Sequence, residues 1–192
     1  MTFMLDIVFI DVETTGLYPQ NGEKIVEIGA YRRDLQGREY FFQRLINPGK
    51  SIPLNVQYIH NIDDEMVREA PFIEDIAEEF LSFLGRSIIG GYNLNFDLSF
   101  VESYFPREFF KSHTFIDVYK MVKTFFPEFG SFSLGNVCAY LGIDFPKKHR
   151  ALEDAHATGK LFFKCLGILE KRNISFDEIK DKSQPTILEQ IL

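Results

Sequence analysis

Strand-like and helix-like segments follow one another along this chain in an order that restricts its possible folds. Three apolar, strand-like segments come first, and segments with helical and strand periodicity then alternate. The predicted strands cover residues 5–12, 25–33, 39–46, 87–92 and 113–116, and the predicted helices cover residues 73–84, 95–105, 117–126, 134–141 and 151–169. This order predicts an α/β fold in which a mixed five-stranded sheet carries helices on both faces.

The length of 192 residues and a hydrophobic fraction of 45% fit one domain with a buried core. Residues 1–170 are predicted to form this domain, and the more charged residues 171–192 a C-terminal tail. Cys138 and Cys165 lie in apolar helical patterns, which predicts buried thiols outside any disulfide. No apolar run approaches the ~18 residues that span a bilayer, and no secretory leader is recognisable, so a cytoplasmic location is expected.

Two acids, Asp11 and Glu13, interrupt the first apolar strand near its end. Because they are two positions apart, both side chains point to the same side of a strand. Like charges this close repel each other unless a cation lies between them. Oxygen-only ligands suit Mg²⁺ or Mn²⁺ and argue against Zn²⁺. The pair fits a metal site, and it fits equally well a strand end with solvated acids.

A third acid, Asp97, opens the helix that follows the fourth predicted strand. Asn93 or Asn95 can cap this helix, and an acid in the first turn favours the helix dipole. Taken alone, capping explains the segment. The competing interpretation places Asp97 beside Asp11, which requires the fourth strand to be a neighbour of the first.

A histidine and a fourth acid lie at the start of the last long helix. His149 precedes this helix, and Asp154 follows five residues later. A histidine in the preceding loop can lean over a metal ion held by Asp154, and a neutral imidazole near pH 7 is a suitable base for water. A lone histidine is more often structural or simply exposed.

Taken in chain order, these segments match three motifs. They are D-x-E-T-T-G from Asp11 to Gly16, N-x-x-F-D from Asn93 to Asp97, and H-x-A-x-x-D-A from His149 to Ala155. Together they resemble the DEDD exonucleases of ribonuclease-H-like fold, over about residues 5–169. The sister subgroup has tyrosine where this chain has Arg150, so the resemblance is to the subgroup with a catalytic histidine.

Within that family, the chain looks most like the proofreading ε-like exonucleases of bacterial DNA polymerase III. Residues 58–62, YIHNI, resemble their V-H-G-I segment, with Asn61 in place of glycine. The middle motif of these exonucleases often reads H-N-A-x-F-D, whereas this chain has Tyr92 and Leu94 in place of the histidine and alanine. Neither position is a metal ligand in the family, so the departure bears on substrate contacts rather than on catalysis.

The resemblance implies two divalent cations, Mg²⁺ or Mn²⁺, held by four acids: Asp11, Glu13, Asp97 and Asp154. Asp11 would bridge both cations. Glu13 and Asp154 would complete the cation nearer the attacking water, and Asp97 would hold the second. His149 would take the proton from that water.

The resemblance also implies a set of contacts to the terminal nucleotide. The implied residues are Thr14, Thr15, Gly16, Leu17, His60, Asn93 and Phe96. Backbone N–H groups of residues 14–16 would lie near the cations, and Leu17 would wedge against the terminal base. His60 is otherwise a surface-loop histidine. Phe96 either stacks on a base or, as its helical spacing favours, packs in the core.

Three further features have two interpretations. Lys147, Lys148 and Arg150 form a basic cluster that either faces phosphate or is merely solvated. Asp117 resembles an acid found elsewhere in the family, and helix capping explains it adequately. The segment from Gln184 to Leu188 resembles a short motif that binds the sliding clamp, and is otherwise a disordered or loosely docked tail.

The implied function is a 3′→5′ exonuclease that releases nucleoside monophosphates from DNA 3′ ends in proofreading or repair. The implied partners are a DNA 3′ end, a DNA polymerase subunit and a sliding clamp. A net charge of −7 argues against a large nucleic-acid footprint, but an enzyme that grips only a strand end needs few phosphate contacts. The alternatives are an RNA-trimming exonuclease of the same family and an inactive nucleic-acid-binding module.

Overall fold

A five-stranded mixed sheet forms the centre of the protein. The computed structural model describes residues 5–145 and 149–191. The strands are β1 (Ile7–Thr14), β2 (Ile25–Arg33), β3 (Glu39–Leu45), β4 (Ile88–Gly91) and β5 (Phe115–Asp117), in the order β3-β2-β1-β4-β5. β1 pairs antiparallel with β2 and parallel with β4. The predicted mixed five-stranded sheet is confirmed.

Helices cover both faces of this sheet. They are α1 (Leu54–His60), α2 (Asp64–Val67), α3 (Ile73–Leu84), α4 (Asn95–Val101), α5 (Arg107–Ser112), α6 (Val118–Phe125), α7 (Leu134–Tyr140), α8 (Ala151–Lys171), α9 (Phe176–Lys182) and α10 (Leu188–Ile191). One hydrophobic cluster joins the sheet to α3, α4 and α5, and a second joins it to α6, α7 and α8. The predicted two-sided arrangement is confirmed as well.

The side chains of β1 alternate between these two clusters, as the period of a strand requires. Ile7 and Phe9 belong to the cluster under α8, whereas Val8 and Ile10 belong to the cluster under α3 and α4. Odd-numbered residues of β1 therefore face α8. This alternation determines which helix can meet the acids at the end of the strand.

The helix predicted over residues 95–105 is shorter in the structure. α4 ends at Val101, and a separate helix, α5, begins at Arg107. Pro106 lies between them. A proline lacks the N–H group that a helix interior needs, and it disfavours the helical conformation of the residue before it.

Residues 171–191, predicted as a tail, pack against the rest of the protein. The Ser175 side chain caps α9 by accepting a hydrogen bond from the Glu178 N–H group. Ile179 and Ile191 are buried in the two hydrophobic clusters. The predicted domain boundary after residue 170 stays a prediction.

Two expectations from composition concern the thiols and membranes. Cys138 and Cys165 are both buried, as predicted. Within residues 5–145 and 149–191, no helix has both the length and the apolar character that crossing a bilayer requires. The cytoplasmic location stays a prediction.

Candidate active site

Strand periodicity places the first two acids under α8. Asp11 and Glu13 are odd-numbered residues of β1, and they share the face of Ile7 and Phe9, which packs against that helix. Both acids are partly buried. They lie at the C-terminal end of the central strand, where the apolar core gives way to the loop after Thr14.

A glycine allows α8 to approach these acids closely. Gly29 lies directly opposite Asp11 in the β1–β2 pairing. A β-carbon added at Gly29 would overlap backbone atoms of Ala151 and Leu152, so the first turn of α8 lies against the bare backbone of β2. Because Asp154 is also in the first turn of that helix, the close approach brings its carboxylate over the strand.

Asp11, Glu13 and Asp154 form a compact group. One carboxylate oxygen from each of them lies within 4.8 Å of those of the other two. Acids separated by more than 140 positions in the chain therefore converge at one point. The sequence-based interpretation of Asp11 and Glu13 as merely solvated strand-end acids does not account for this convergence.

Asp97 adjoins the same group from α4, the helix that follows β4. β4 pairs with β1, which is the arrangement that the competing interpretation of Asp97 required. The Asp97 side chain is buried, and its Oδ1 accepts a hydrogen bond of 2.9 Å from the Val12 N–H group. The carboxylate is thereby fixed beside the backbone between Asp11 and Glu13.

The electrostatics of the group show why a cation would fit there. Burial, followed by repulsion from Asp97 and Asp154, raises the pKa of Asp11 well above its ordinary value. Burial and repulsion from Asp154 raise the pKa of Glu13 to about 8, and burial raises that of Asp154 to about 7. Ionised carboxylates crowded at these positions repel one another, and oxygen-only donors are the set that Mg²⁺ and Mn²⁺ prefer.

His149 lies at the edge of this group. Its backbone N–H group donates a hydrogen bond of 3.1 Å to Oδ1 of Asp154, and its φ angle is 61°. The residue is exposed to solvent. The structure thus places the predicted base beside one of the predicted metal ligands, as the resemblance implies, and its role as base stays a prediction.

Sequence reasoning missed Glu27, which anchors the start of α8. Its carboxylate is fully buried and accepts two hydrogen bonds from Arg150, from Nε at 3.0 Å and from Nη2 at 2.6 Å. It also accepts from the Ala151 N–H group at 3.0 Å and from Nε2 of Gln43 at 2.8 Å. Glu27 lies opposite Glu13 in the sheet. A single acid within the apolar segment IVEIGAY was the signal that this residue has a special role.

The loop after Glu13 uses its polar groups internally. Oγ1 of Thr14 donates to the Gly16 carbonyl at 2.6 Å. The Thr15 N–H group donates to the Lys24 carbonyl at 2.8 Å, and its hydroxyl donates to Glu23. The Thr15 N–H group therefore has a partner within the protein. The resemblance had implied instead that the backbone N–H groups of residues 14–16 lie near the cations. Leu17 is 67% exposed and is available to a base.

The other predicted substrate contacts differ in exposure. His60 is buried rather than on a surface loop, and its Nδ1 accepts from the Ile62 N–H group at 3.0 Å. Asn93 is exposed in a turn with a φ angle of 62°. Phe96 is partly buried, and its ring packs 5.1 Å from that of Phe100, so the core-packing alternative describes it. Contact of these residues with a nucleotide stays a prediction.

The remaining polar features have structural partners. Asp117 caps α6, in agreement with the helix-capping interpretation of the sequence. Its Oδ1 accepts hydrogen bonds from the N–H groups of Tyr119 and Lys120 at 3.0 and 3.4 Å. Within the predicted basic cluster, Arg150 is bound to Glu27. Lys147 and Lys148 lie outside the described residues.

Comparison with known proteins agrees with this geometry. Residues 8–162 match the RNase T exonuclease family. The chain is 33% identical over 176 residues to the 3′-5′ exonuclease DinG of Bacillus subtilis, which covers 90% of this chain and 19% of that protein. It is 32% identical over 179 residues to a DNA polymerase III subunit epsilon-like protein of Rhodobacter capsulatus, which covers 89% of this chain and 25% of that protein. The chain thus spans a quarter or less of the length of curated relatives such as these.

A solved structure shows the same fold. Exonuclease X in complex with 5′ overhanging duplex DNA superposes with a TM-score of 0.73 at 22% sequence identity, covering 93% of this chain and 99% of that one. The family match extends from β1 into α8 and includes every strand and helix that carries one of the four acids. The protein therefore belongs to the RNase T exonuclease family of ribonuclease-H-like fold, and its resemblance to DNA polymerase III ε-like exonucleases is confirmed.

Proposed function

We propose that the protein is a metal-dependent 3′→5′ exonuclease that releases nucleoside monophosphates from DNA 3′ ends. The observation that supports this most directly is the group of Asp11, Glu13 and Asp154, whose ligand oxygens lie within 4.8 Å of one another. Asp97 lies beside them, bonded to the backbone of β1. An exonuclease of this family needs these four acids together.

The four acids would hold two divalent cations. Asp11, Glu13 and Asp154 form one set of ligands, and Asp97 would contribute to the second through its free carboxylate oxygen. When bound, the two cations would supply electrostatic stabilisation of the charge that develops on the phosphate during in-line displacement. Without them, the acids alone would repel a phosphodiester.

The proton of the attacking water would go to His149. This residue lies at the edge of the acid group and is exposed, so it can return the proton to solvent between turnovers. An imidazole is suited to this task because it can accept a proton through a ring nitrogen and release it again. The hydrogen bond from the backbone N–H group of His149 to Asp154 keeps His149 next to the acids.

The names of the similar proteins favour DNA as the substrate. One is a DNA polymerase III epsilon-like protein, and the structurally similar exonuclease X was solved on DNA. The exposed side chain of Leu17, four residues beyond Glu13, would contact the terminal base. A proofreading role with a polymerase subunit would use this site on a frayed 3′ end.

Sliding-clamp binding through residues Gln184 to Leu188 remains a separate proposal. Ile187 and Leu188 pack against the hydrophobic cluster under α3 and α4. A clamp that binds this segment would have to displace it from the protein. Deleting residues 183–192 and measuring clamp binding would test this.

The direct test is digestion of oligonucleotides labelled at the 5′ end. Single-stranded DNA, duplex DNA with a mismatched 3′ end and RNA are each incubated with Mg²⁺, Mn²⁺ or EDTA. We expect stepwise shortening of the DNA from its 3′ end, which EDTA abolishes because the acids then lack their cations. Mismatched ends should be removed faster than matched ends. Faster digestion of RNA than of DNA would instead assign the protein to RNA trimming, and no digestion with either metal would overturn the proposal.

The role of His149 is tested by replacing it with alanine. We expect kcat to fall by about 10²- to 10⁴-fold, the usual contribution of a general base. The KM for DNA should change little, because the acids remain in place. His156→Ala is the matched control, because His156 lies in α8 and its ring packs on Tyr31 of β2 and Phe41 of β3. Full activity of His149→Ala would show that another group takes the proton.

A further inference from the structure

We infer that residues 183–191 form a strap that holds in position the turn before α4, the helix that contains Asp97. The residues of this strap are therefore positioning residues for metal binding. This inference rests on the proposed function. The turn consists of residues 92–94, between β4 and α4, and Asp97 lies in the first turn of α4. The strap is attached on both sides of this turn.

The first attachment reaches the turn through Asp117. The Asp117 N–H group donates a hydrogen bond of 2.7 Å to the carbonyl of Ser183, a fully buried residue. Oδ1 of the same aspartate accepts a hydrogen bond of 3.1 Å from the Asn93 N–H group. The beginning of the strap and the beginning of the turn are therefore bonded to one residue.

The second attachment is direct. Oδ1 of Asn95 accepts a hydrogen bond of 2.9 Å from the Ile187 N–H group and a longer one of 3.4 Å from the Thr186 hydroxyl. Asn95 is two residues before Asp97, at the first position of α4. The Asn95 side chain does not cap α4 and instead accepts hydrogen bonds from the strap.

Other contacts keep the strap in place between and beyond these attachments. Nζ of Lys120 donates a hydrogen bond of 2.8 Å to the Gln184 carbonyl. Pro185 and Ile191 are buried, and Leu188 packs against the cluster that contains Phe100. The strap therefore has a defined path across α4 and α6 rather than a loose one.

These attachments matter because of how Asp97 is held. Its Oδ1 bonds to the Val12 N–H group across the sheet, so its second oxygen reaches a cation only if α4 stays in register with β1. Asn93 has a positive φ angle of 62°, a conformation that this residue type tolerates but that its surroundings must maintain. Loss of the strap would let the turn relax and would move Asp97 away from Asp11.

The experiment measures Mn²⁺ binding to the full chain by electron paramagnetic resonance, together with nuclease activity. Asn95→Ala removes both bonds to the strap without emptying the core. Asn136→Ala is the matched control, because Asn136 lies in α7 and its Nδ2 donates to Oγ of Ser131 rather than to the strap. Thermal unfolding in EDTA shows that each variant is folded. Deletion of residues 183–192 is the stronger variant, with the same measurements.

We expect Asn95→Ala to weaken Mn²⁺ binding by about 5-fold, the factor that corresponds to the loss of the shorter of its two bonds, the one of 2.9 Å from the Ile187 N–H group. Activity at low Mn²⁺ should fall by the same factor and recover at saturating Mn²⁺. Asn136→Ala should bind Mn²⁺ as the unmodified protein does. Unchanged affinity in folded Asn95→Ala, or an equal loss in Asn136→Ala, would overturn the strap inference. If the unmodified protein binds Mn²⁺ but does not shorten DNA, the proposed function fails while the affinities still test the strap.

Discussion

Replacing Asp11 with asparagine is expected to abolish nuclease activity and to raise the unfolding temperature of the metal-free protein. Activity is lost because Asp11 is the acid whose charge interacts with those of Asp97, Asp154 and Glu13 together. An amide is a neutral and weaker ligand for Mg²⁺, so kcat should fall by at least about 10³-fold, which corresponds to the several kcal/mol that a cation contributes to the transition state.

The gain in thermal stability has the same electrostatic origin. Burial and the neighbouring acids raise the pKa of Asp11 in the folded protein, whereas the unfolded chain has an ordinary carboxyl pKa of about 4. The folded state therefore binds the proton more tightly, and this contribution to stability is lost as pH rises through the folded pKa values, about 8 for Glu13 and about 7 for Asp154. At higher pH, an uncharged side chain at position 11 relieves the repulsion.

Thermal unfolding in EDTA between about pH 6 and pH 9 measures this effect. The Tm of the unmodified protein should fall across this range, and that of Asp11→Asn should fall less, ending about 2–4 °C higher for each kcal/mol of relieved repulsion. Mg²⁺ should raise the Tm of the unmodified protein and leave that of Asp11→Asn almost unchanged. Asp181→Asn changes an exposed acid on α9 and should match the unmodified protein. A lower Tm for Asp11→Asn at every pH would contradict the proposed repulsion.

Replacing Gly29 with valine should have the largest effect on the fold. A β-carbon at this position would overlap backbone atoms of Ala151 and Leu152, and backbone cannot move aside as a flexible side chain can. We expect the free energy of unfolding to fall by about 3 kcal/mol or more, the upper range for overpacking a core. Folded molecules would carry α8 farther from β2, so Asp154 would no longer reach Asp11, and activity would be lost.

Chemical denaturation and the DNA digestion assay together test this prediction. Gly167→Ala is the matched control, because Gly167 lies in α8, the helix that packs against Gly29. A β-carbon at Gly167 would meet no atom of the described residues within 4 Å. That change should stabilise the protein by up to about 1 kcal/mol, the helix-propensity difference between alanine and glycine. Gly29→Val with unchanged stability and activity would show that α8 does not need its close approach to the sheet.

Much of this fold was predictable because its strongest patterns are local. The apolar segment over residues 25–33 predicted β2 with its observed ends, and helical spacing predicted α3 with its observed ends. The same-side geometry of Asp11 and Glu13 follows from a period of two residues and needs no tertiary information. The motif from His149 to Ala155 likewise placed Asp154 in the first turn of α8.

The parts that local sequence patterns did not predict depend on which elements meet in space, although the family resemblance had implied that Asp97 joins the other three acids. The proximity of Asp97 to Asp11 requires β4 to pair with β1, and pairing partners far apart in sequence have no local signature. The roles of Glu27 and Gly29 depend on where α8 crosses β2. Helices α9 and α10 have 7 and 4 residues, lengths at which tertiary packing rather than propensity determines whether a helix forms.

The order of the four acids along the chain also bears on how this protein is made. Asp11 and Glu13 are synthesised well before Asp154, which lies near the start of a helix that ends at Lys171. Chains that stop before this helix contain three of the four acids and lack Asp154, so they cannot complete the set. Cleavage of nucleic acid should therefore require synthesis at least through the first turn of α8, and fragments that end before this turn should show no nuclease activity.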